Sequence, residues 1–196
     1  MKTRLLKITL LLAGISLLPA CLQLEPKADP TRYYLLSGSG ETGELAQPER
    51  EIAIQLLAFP DYARRAGLAV RHGEHEIRYA PWHQWAEEPE DEFFTAFAAA
   101  LEAEIPSLRV VRWGLGKAAV PEAPVLRIEV ERFEGEAAGH AHLAARWQLA
   151  GADGEAENSW HRFRQSQSWT FEAYPALVTA HSANIRAFAA RVAEVL

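Results

Sequence analysis

Val125-Leu126-Arg127-Ile128-Glu129-Val130-Glu131-Arg132-Phe133 decides the architecture. Leu126, Ile128 and Val130 alternate with Arg127, Glu129 and Glu131, the period of a strand with one buried and one wetted face. His142 to Leu149 repeats the pattern, with Leu143, Ala145, Trp147 and Leu149 on one face. Ala152-Asp153-Gly154 is a turn signal. Trp160 to Phe171 alternates again: Phe163, Trp169 and Phe171 share one face, and Arg162, Arg164, Ser166 and Ser168 the other. Three such runs in succession read as an antiparallel meander with one solvated face.

Two helices flank this meander. Pro89 opens the first, with Glu90, Asp91 and Glu92 in the turn where the helix dipole favours acids. Phe93, Phe97, Leu101 and Ile105 recur every four residues, and Phe94 and Ala98 widen the stripe. Pro106 ends it. The second helix starts at Pro175 and runs to the C-terminus on a stripe of Leu177, Ile185, Phe188, Val192 and Val195. Further strands are expected at Tyr33–Leu36, Glu51–Phe59, Leu68–Arg71, Glu76–Tyr79 and Arg109–Trp113. In the second of these, Leu57 and Phe59 fall out of phase with Ile52, Ile54 and Leu56, a sign of burial on both faces or of a bulge. Pro81-Trp82-His83-Gln84-Trp85 reads as an aromatic loop. The fold class is therefore α+β, a single two-layer domain: a largely antiparallel sheet with two main helices packed on one face.

The first twenty residues differ from the rest. Lys2, Arg4 and Lys7 precede an apolar run from Ile8 to Leu18, and Leu18-Pro19-Ala20-Cys21 closes it. A basic start, a short apolar run and a small residue at the cut describe an export signal. The run is shorter than the roughly 20 residues a membrane-spanning helix needs. Cys21 is the one cysteine of the 196 residues, so it has no intramolecular disulfide partner. Its position and neighbours resemble the lipobox of bacterial lipoproteins. That resemblance implies cleavage before Cys21, a diacylglycerol on the thiol and an acyl chain on the new amine. Two buried acyl chains make a stable anchor. The expected organisation is a signal peptide over 1–20, a lipidated tether over 21–31 and one domain over 32–196. Leu22 stands where Asp would retain such a protein in the inner membrane, so the expected location is the inner leaflet of the outer membrane, facing the periplasm.

The chain carries a formal charge of −6, and loss of Lys2, Arg4 and Lys7 with the signal leaves −9. That balance excludes nucleic acid as a partner, which needs a basic footprint. No Gly-x-Ser-x-Gly elbow, Walker loop or dinucleotide fingerprint occurs. His140-x-His142, and His72, His75 and His83 with Glu74, have the residue types of a zinc site but read as solvated histidines of strand edges and turns. The carboxylates Glu87, Glu88, Glu90 to Glu92, Glu129 and Glu131 read as solvated faces. His181 and Asn184 fall near the apolar stripe of the last helix and are expected to hydrogen-bond within the core. No catalytic residue, metal or cofactor is expected, and the chain reads as a non-enzyme. Tyr79, Trp82 and Trp85 form the candidate partner-binding cluster, since Trp and Tyr anchor interfaces.

An ordered set of short motifs resembles a known family. Tyr33-Tyr34-Leu35-Leu36 follows the lipidated cysteine. Phe59-Pro60-Asp61-Tyr62 precedes Arg64-Arg65, and Arg78-Tyr79 precedes Trp85-Ala86-Glu87-Glu88-Pro89. Tyr174-Pro175-Ala176-Leu177-Val178-Thr179-Ala180 opens the last helix. This order is similar to the ABC-type transport auxiliary lipoproteins, the PqiC/YmbA-like family, across essentially the whole mature chain. Gln84 stands where that family usually shows Arg. The resemblance implies a periplasm-facing, lipid-anchored subunit of an intermembrane transport system for lipids or other hydrophobic molecules. Its implied partners are an MCE-domain protein and associated inner-membrane transporter subunits, and it would dock the complex at the outer membrane. A stand-alone lipid carrier, holding an acyl chain between sheet and helices, is the alternative.

Overall fold

The computed structural model describes residues 28–38, 48–114, 123–151 and 159–196. Contacts divide the chain into Met1–Pro30 and Thr31–Leu196, and the second unit carries its own hydrophobic core. Cys21 and the Ala152-Asp153-Gly154 turn lie outside the described residues.

The strands are β1 (Arg32–Tyr34), β2 (Arg50–Ala58), β3 (Gly67–His72), β4 (Glu76–Trp85), β5 (Leu108–Arg112), β6 (Val125–Glu136), β7 (His140–Ala150) and β8 (His161–Ser168). Helix α1 (Pro89–Glu104) lies between β4 and β5, and α2 (Tyr174–Ala193) follows β8. A 3₁₀ turn at Asp61–Arg64 links β2 to β3.

One sheet holds all eight strands. The expected meander is present: β6 pairs antiparallel with β7 from Val125↔Ala150 to Glu136↔His140, and β7 with β8 from His140↔Ser168 to Trp147↔His161. The other edge of β6 is divided between two neighbours. β2 lies parallel to its first half, as far as Ala58↔Glu129. β3 lies parallel to its end, at Val70↔Gly135 and Arg71↔Glu136. β5 adds to β2 in parallel, β4 to β3 antiparallel, and β1 to β4 in parallel. The longest ladders are antiparallel, so most paired residues are too, and the four parallel ladders are short.

Both helices pack on one face. Phe97 of α1 meets Phe188 of α2 at 4.8 Å between ring centroids, and Phe188 meets Phe163 of β8 at 4.9 Å. Phe93, Phe97, Leu101, Leu177, Ile185, Phe188 and Val192 are buried, as the four-residue stripes require, whereas Val195 lies past the end of α2 and is exposed. Each fully buried Phe or Leu contributes about 1.5–3 kcal/mol against leaving it in water. Leu126, Ile128 and Val130 face this core with Leu143, Ala145 and Trp147. In β2, Ile52, Ala53 and Ile54 are all buried, but Leu57 is exposed and the register shifts between Leu56 and Ala58, so the broken phase marks the bulge and not burial on both faces.

The expected aromatic loop is a correction. Pro81 to Trp85 belongs to β4, because Trp85 donates its N–H to Ala66 O at 2.7 Å and Tyr34 of β1 pairs beside it. Only long-range pairing supplies these bonds, so local turn chemistry misled the reading.

Candidate interaction surface

β6 leaves a seam where it passes from β2 to β3. Between Glu129 and Gly135 no strand among the described residues covers that edge, and the side chain of Tyr62, from the 3₁₀ turn, fills it. Its hydroxyl accepts the Phe133 N–H at 3.3 Å and donates to the Glu134 carboxylate. Glu134 is fully buried. It also accepts from Arg71 Nε at 2.9 Å and from Arg132 Nε and Nη2 at 2.9 and 2.6 Å. Burial works to raise the Glu134 pKa, but the bonds from Tyr62, Arg132 and Arg71 outweigh it and hold the carboxyl below the usual carboxylate range. Burial and the neighbouring carboxylate push the Tyr62 phenol up. Tyr79 fixes the turn by donating its hydroxyl to Tyr62 O at 2.9 Å.

Beneath the seam the His181 ring of α2 packs tilted against Phe133, 4.2 Å between centroids, and its centroid lies 6.2 Å from that of Trp85. Burial pushes its pKa down to about 3, with the Glu134 charge acting in the opposite sense. Asn184 is fully buried and donates Nδ2 to Ala141 O at 2.8 Å. Glu92 departs from the expectation of a solvated acidic face. It is buried at the start of α1, accepts the Leu36 N–H at 2.8 Å, and has its pKa raised by burial. The chain after β1 thus crosses α1 so closely that a Cβ on Gly38 would sit 1.9 Å from Ala96 O. Only glycine fits there.

The three candidate contact residues part company. Trp85 is 5% exposed, with its ring 6.0 Å from Phe133, and belongs to the core. Tyr79 is half-buried beneath Arg65, whose guanidinium lies 5.2 Å from the ring centroid. Trp82 is 59% exposed. They do not form one exposed cluster, and Trp82 alone is fully available.

The face of the meander away from the helices is open and charged. Arg162, Arg164, Ser166 and Ser168 line it as the alternation requires. A basin of about 550 Å³ lies between Arg132, His142, Ala144, Arg164 and Ser166. His142 Nε2 is 2.7 Å from Glu136 Oε2, and its ring centroid lies 6.1 Å from that of His140. His72 meets Phe171 edge-on, His83 bonds the Tyr34 hydroxyl at 2.7 Å, and His75 is at the surface beside Glu74. Among the described residues no group of three or more His, Cys, Asp or Glu is placed to hold a metal ion. Nor, among them, is any helix long and apolar enough to cross a membrane.

Residues 34–193 match the model of a family described as the ABC-type transport auxiliary lipoprotein component. The chain belongs to this family. Among curated proteins none matches it in sequence. Among solved structures, the auxiliary lipoprotein is similar to an uncharacterized protein at 19% identity and TM-score 0.67, over 84% of this chain and 97% of that one. It is also similar to protein XCC0632 from Xanthomonas campestris at 17% identity and TM-score 0.64, over 83% and 93%. At these identities the likeness establishes the fold.

Within this auxiliary lipoprotein the seam explains the Phe59-Pro60-Asp61-Tyr62 motif. Phe59 packs against Phe93 and Phe133, and Pro60 accepts the Ala63 N–H to close the turn that aims Tyr62 at Glu134. The Glu134 cluster was missed in the sequence. Its one signal is that Phe133 is buried out of phase with Leu126, Ile128 and Val130, which marks the register shift found between Val130 and Arg132.

Proposed function

We propose that this auxiliary lipoprotein is the lipid-anchored, periplasm-facing subunit of an intermembrane transport system for lipids or other hydrophobic molecules. In this reading Cys21 carries the diacylglycerol and N-acyl chain. The domain docks the complex at the inner leaflet of the outer membrane, against an MCE-domain protein and its inner-membrane subunits. The observation that carries the reading is the family match across 34–193, which spans nearly all of the compact unit. Two features of the fold support a docking role. The face of β7 and β8 is open and presents Arg162 and Arg164, which have no ion pair among the described residues. The outer edge of β8 carries no neighbouring strand among the described residues, so it is free to pair with a partner segment.

The layer between sheet and helices is packed with Phe93, Phe97, Phe133, Trp147 and Phe188. An acyl chain would have to displace these side chains, which disfavours the stand-alone carrier. The deciding experiment is an affinity pull-down of the native lipoprotein from solubilised envelopes, with Cys21→Ala in parallel. An MCE-type protein should accompany the native form, and the variant should leave the membrane. Recovery of the native form alone, carrying stoichiometric lipid, would replace this reading with the carrier.

A further inference from the structure

Trp82 has a backbone φ of 61°. A left-handed conformation costs a side-chain-bearing residue about 1–2 kcal/mol, and for a bulky aromatic it is rare. The register shows what imposes it. Gly67 pairs with Gln84 and Ala69 with Tyr79, so β4 holds three more residues than β3 across the same step. The excess forms a bulge around Pro81 and Trp82, and the bulge turns the indole outward. Strained bulges of this kind concentrate at working surfaces.

The bulge has apolar company. β1 runs alongside, with Arg32 paired to His83 and Tyr33 to Gln84. Tyr33 is 61% exposed and Leu35 58%. Three of the large exposed apolar side chains therefore stand on one sheet edge. Arg32, also exposed, makes no ion pair among the described residues. Aromatic rings beside an unpaired cation suit the boundary of a lipid surface: Trp and Tyr sit at headgroup level, and Arg meets anionic headgroups. A mature chain of net charge −9 would approach such a surface by an edge that carries the Arg32 cation.

This same edge holds the first strand to follow Cys21 along the chain. The compact unit opens at Thr31. Thr31 is ten positions after Cys21, a span of at most about 35 Å when fully extended. We propose that the edge of Arg32, Tyr33, Leu35 and Trp82 seats the domain on the lipid surface that holds its anchor, with the Trp82 indole at headgroup depth. The open β7–β8 face is thereby left for the partner. This inference rests on the lipid-anchored reading of Cys21.

The test separates the two. Residues 21–196 are coupled through Cys21, the sole cysteine, to a maleimide phospholipid in phosphatidylethanolamine–phosphatidylglycerol vesicles that contain brominated phospholipid. Coupling is chemical, so a native protein found to lack acyl chains defeats the anchor reading and leaves this assay intact. Bromolipid should quench tryptophan emission, Trp82→Phe should lose most of that quenching, and Trp160→Phe should keep it. Equal quenching of the native and Trp82→Phe forms overturns the inference. So does emission that ignores bromolipid and shifts only when a purified MCE-type protein is added, which would give the edge to the protein partner.

Discussion

The seam beside β6 and the β1–β4 edge treat difficult groups in opposite ways. At the seam a carboxylate with no solvent exposure accepts hydrogen bonds from Tyr62, Arg71 and Arg132. At the edge, Tyr33, Leu35 and Trp82 stay in water, and one backbone conformation is held where a side chain disfavours it. Trp85 and Trp82 carry the contrast into a single strand. Only His83 and Gln84 stand between an exposed indole and a core one, because positions three apart in a strand face opposite ways. The seam is a closure of the fold. The edge has no such internal purpose, which is why it draws a functional explanation.

The largest expected effect breaks that contrast most directly. Trp85→Ala should lower the unfolding free energy by about 3–5 kcal/mol, as truncation of a buried large aromatic does, read from urea melts. A loss no larger than that of an exposed residue would place Trp85 outside the core.

Acid sharpens the picture of the seam. The unfolded His181 takes up a proton near pH 6.5 and the folded one near about 3. The unfolded state therefore binds more protons across that window. Stability is full above about 6.5 and falls on acidification by about 1.4 kcal/mol per pH unit down to about 3. Glu134, held below the usual range, adds a loss of the same sign beneath about pH 4.3. His181→Leu should flatten the slope between pH 6.5 and 4.5, measured as urea midpoint against pH. An unchanged slope would mean that His181 is not what senses acid there.

Tyr62→Phe comes next. It removes the partner of the Phe133 N–H and one bond to Glu134, at a cost of about 1–3 kcal/mol. Amide exchange at Phe133 should quicken with it. Protection equal to the native level would show that the hydroxyl does not close the seam.

Trp82→Gly should have the smallest effect and the opposite sign, a gain of up to about 1 kcal/mol as the left-handed strain is relieved. A gain in stability accompanied by loss of lipid contact would separate the edge from the fold entirely. A clear destabilisation would make Trp82 a structural residue.

Much of the fold was legible because it depends on local period. The alternation in Val125–Phe133, His142–Leu149 and Trp160–Phe171 marks strands whichever neighbours they find, and the stripes of Phe93, Phe97 and Leu101 and of Leu177, Ile185 and Phe188 mark helices. Proline at the start of each helix added to that. Of the candidate contacts, Trp82 is exposed and Trp85 is not, and nothing in Trp82-His83-Gln84-Trp85 distinguishes the two indoles before β3 and β1 are in register beside them.

The sequence by itself determined the meander, the two amphipathic helices and the family. These follow from short-range periodicity and from order along the chain. Only the tertiary structure decided that β6 shares one edge between β2 and β3, that Tyr62 fills the gap, and that Glu134 is buried among two arginines. It alone decided that β4 bulges at Trp82. Each of these depends on which distant strand supplies the next hydrogen bond, and a neighbour brought in from tens of residues away leaves no mark on the local pattern it completes.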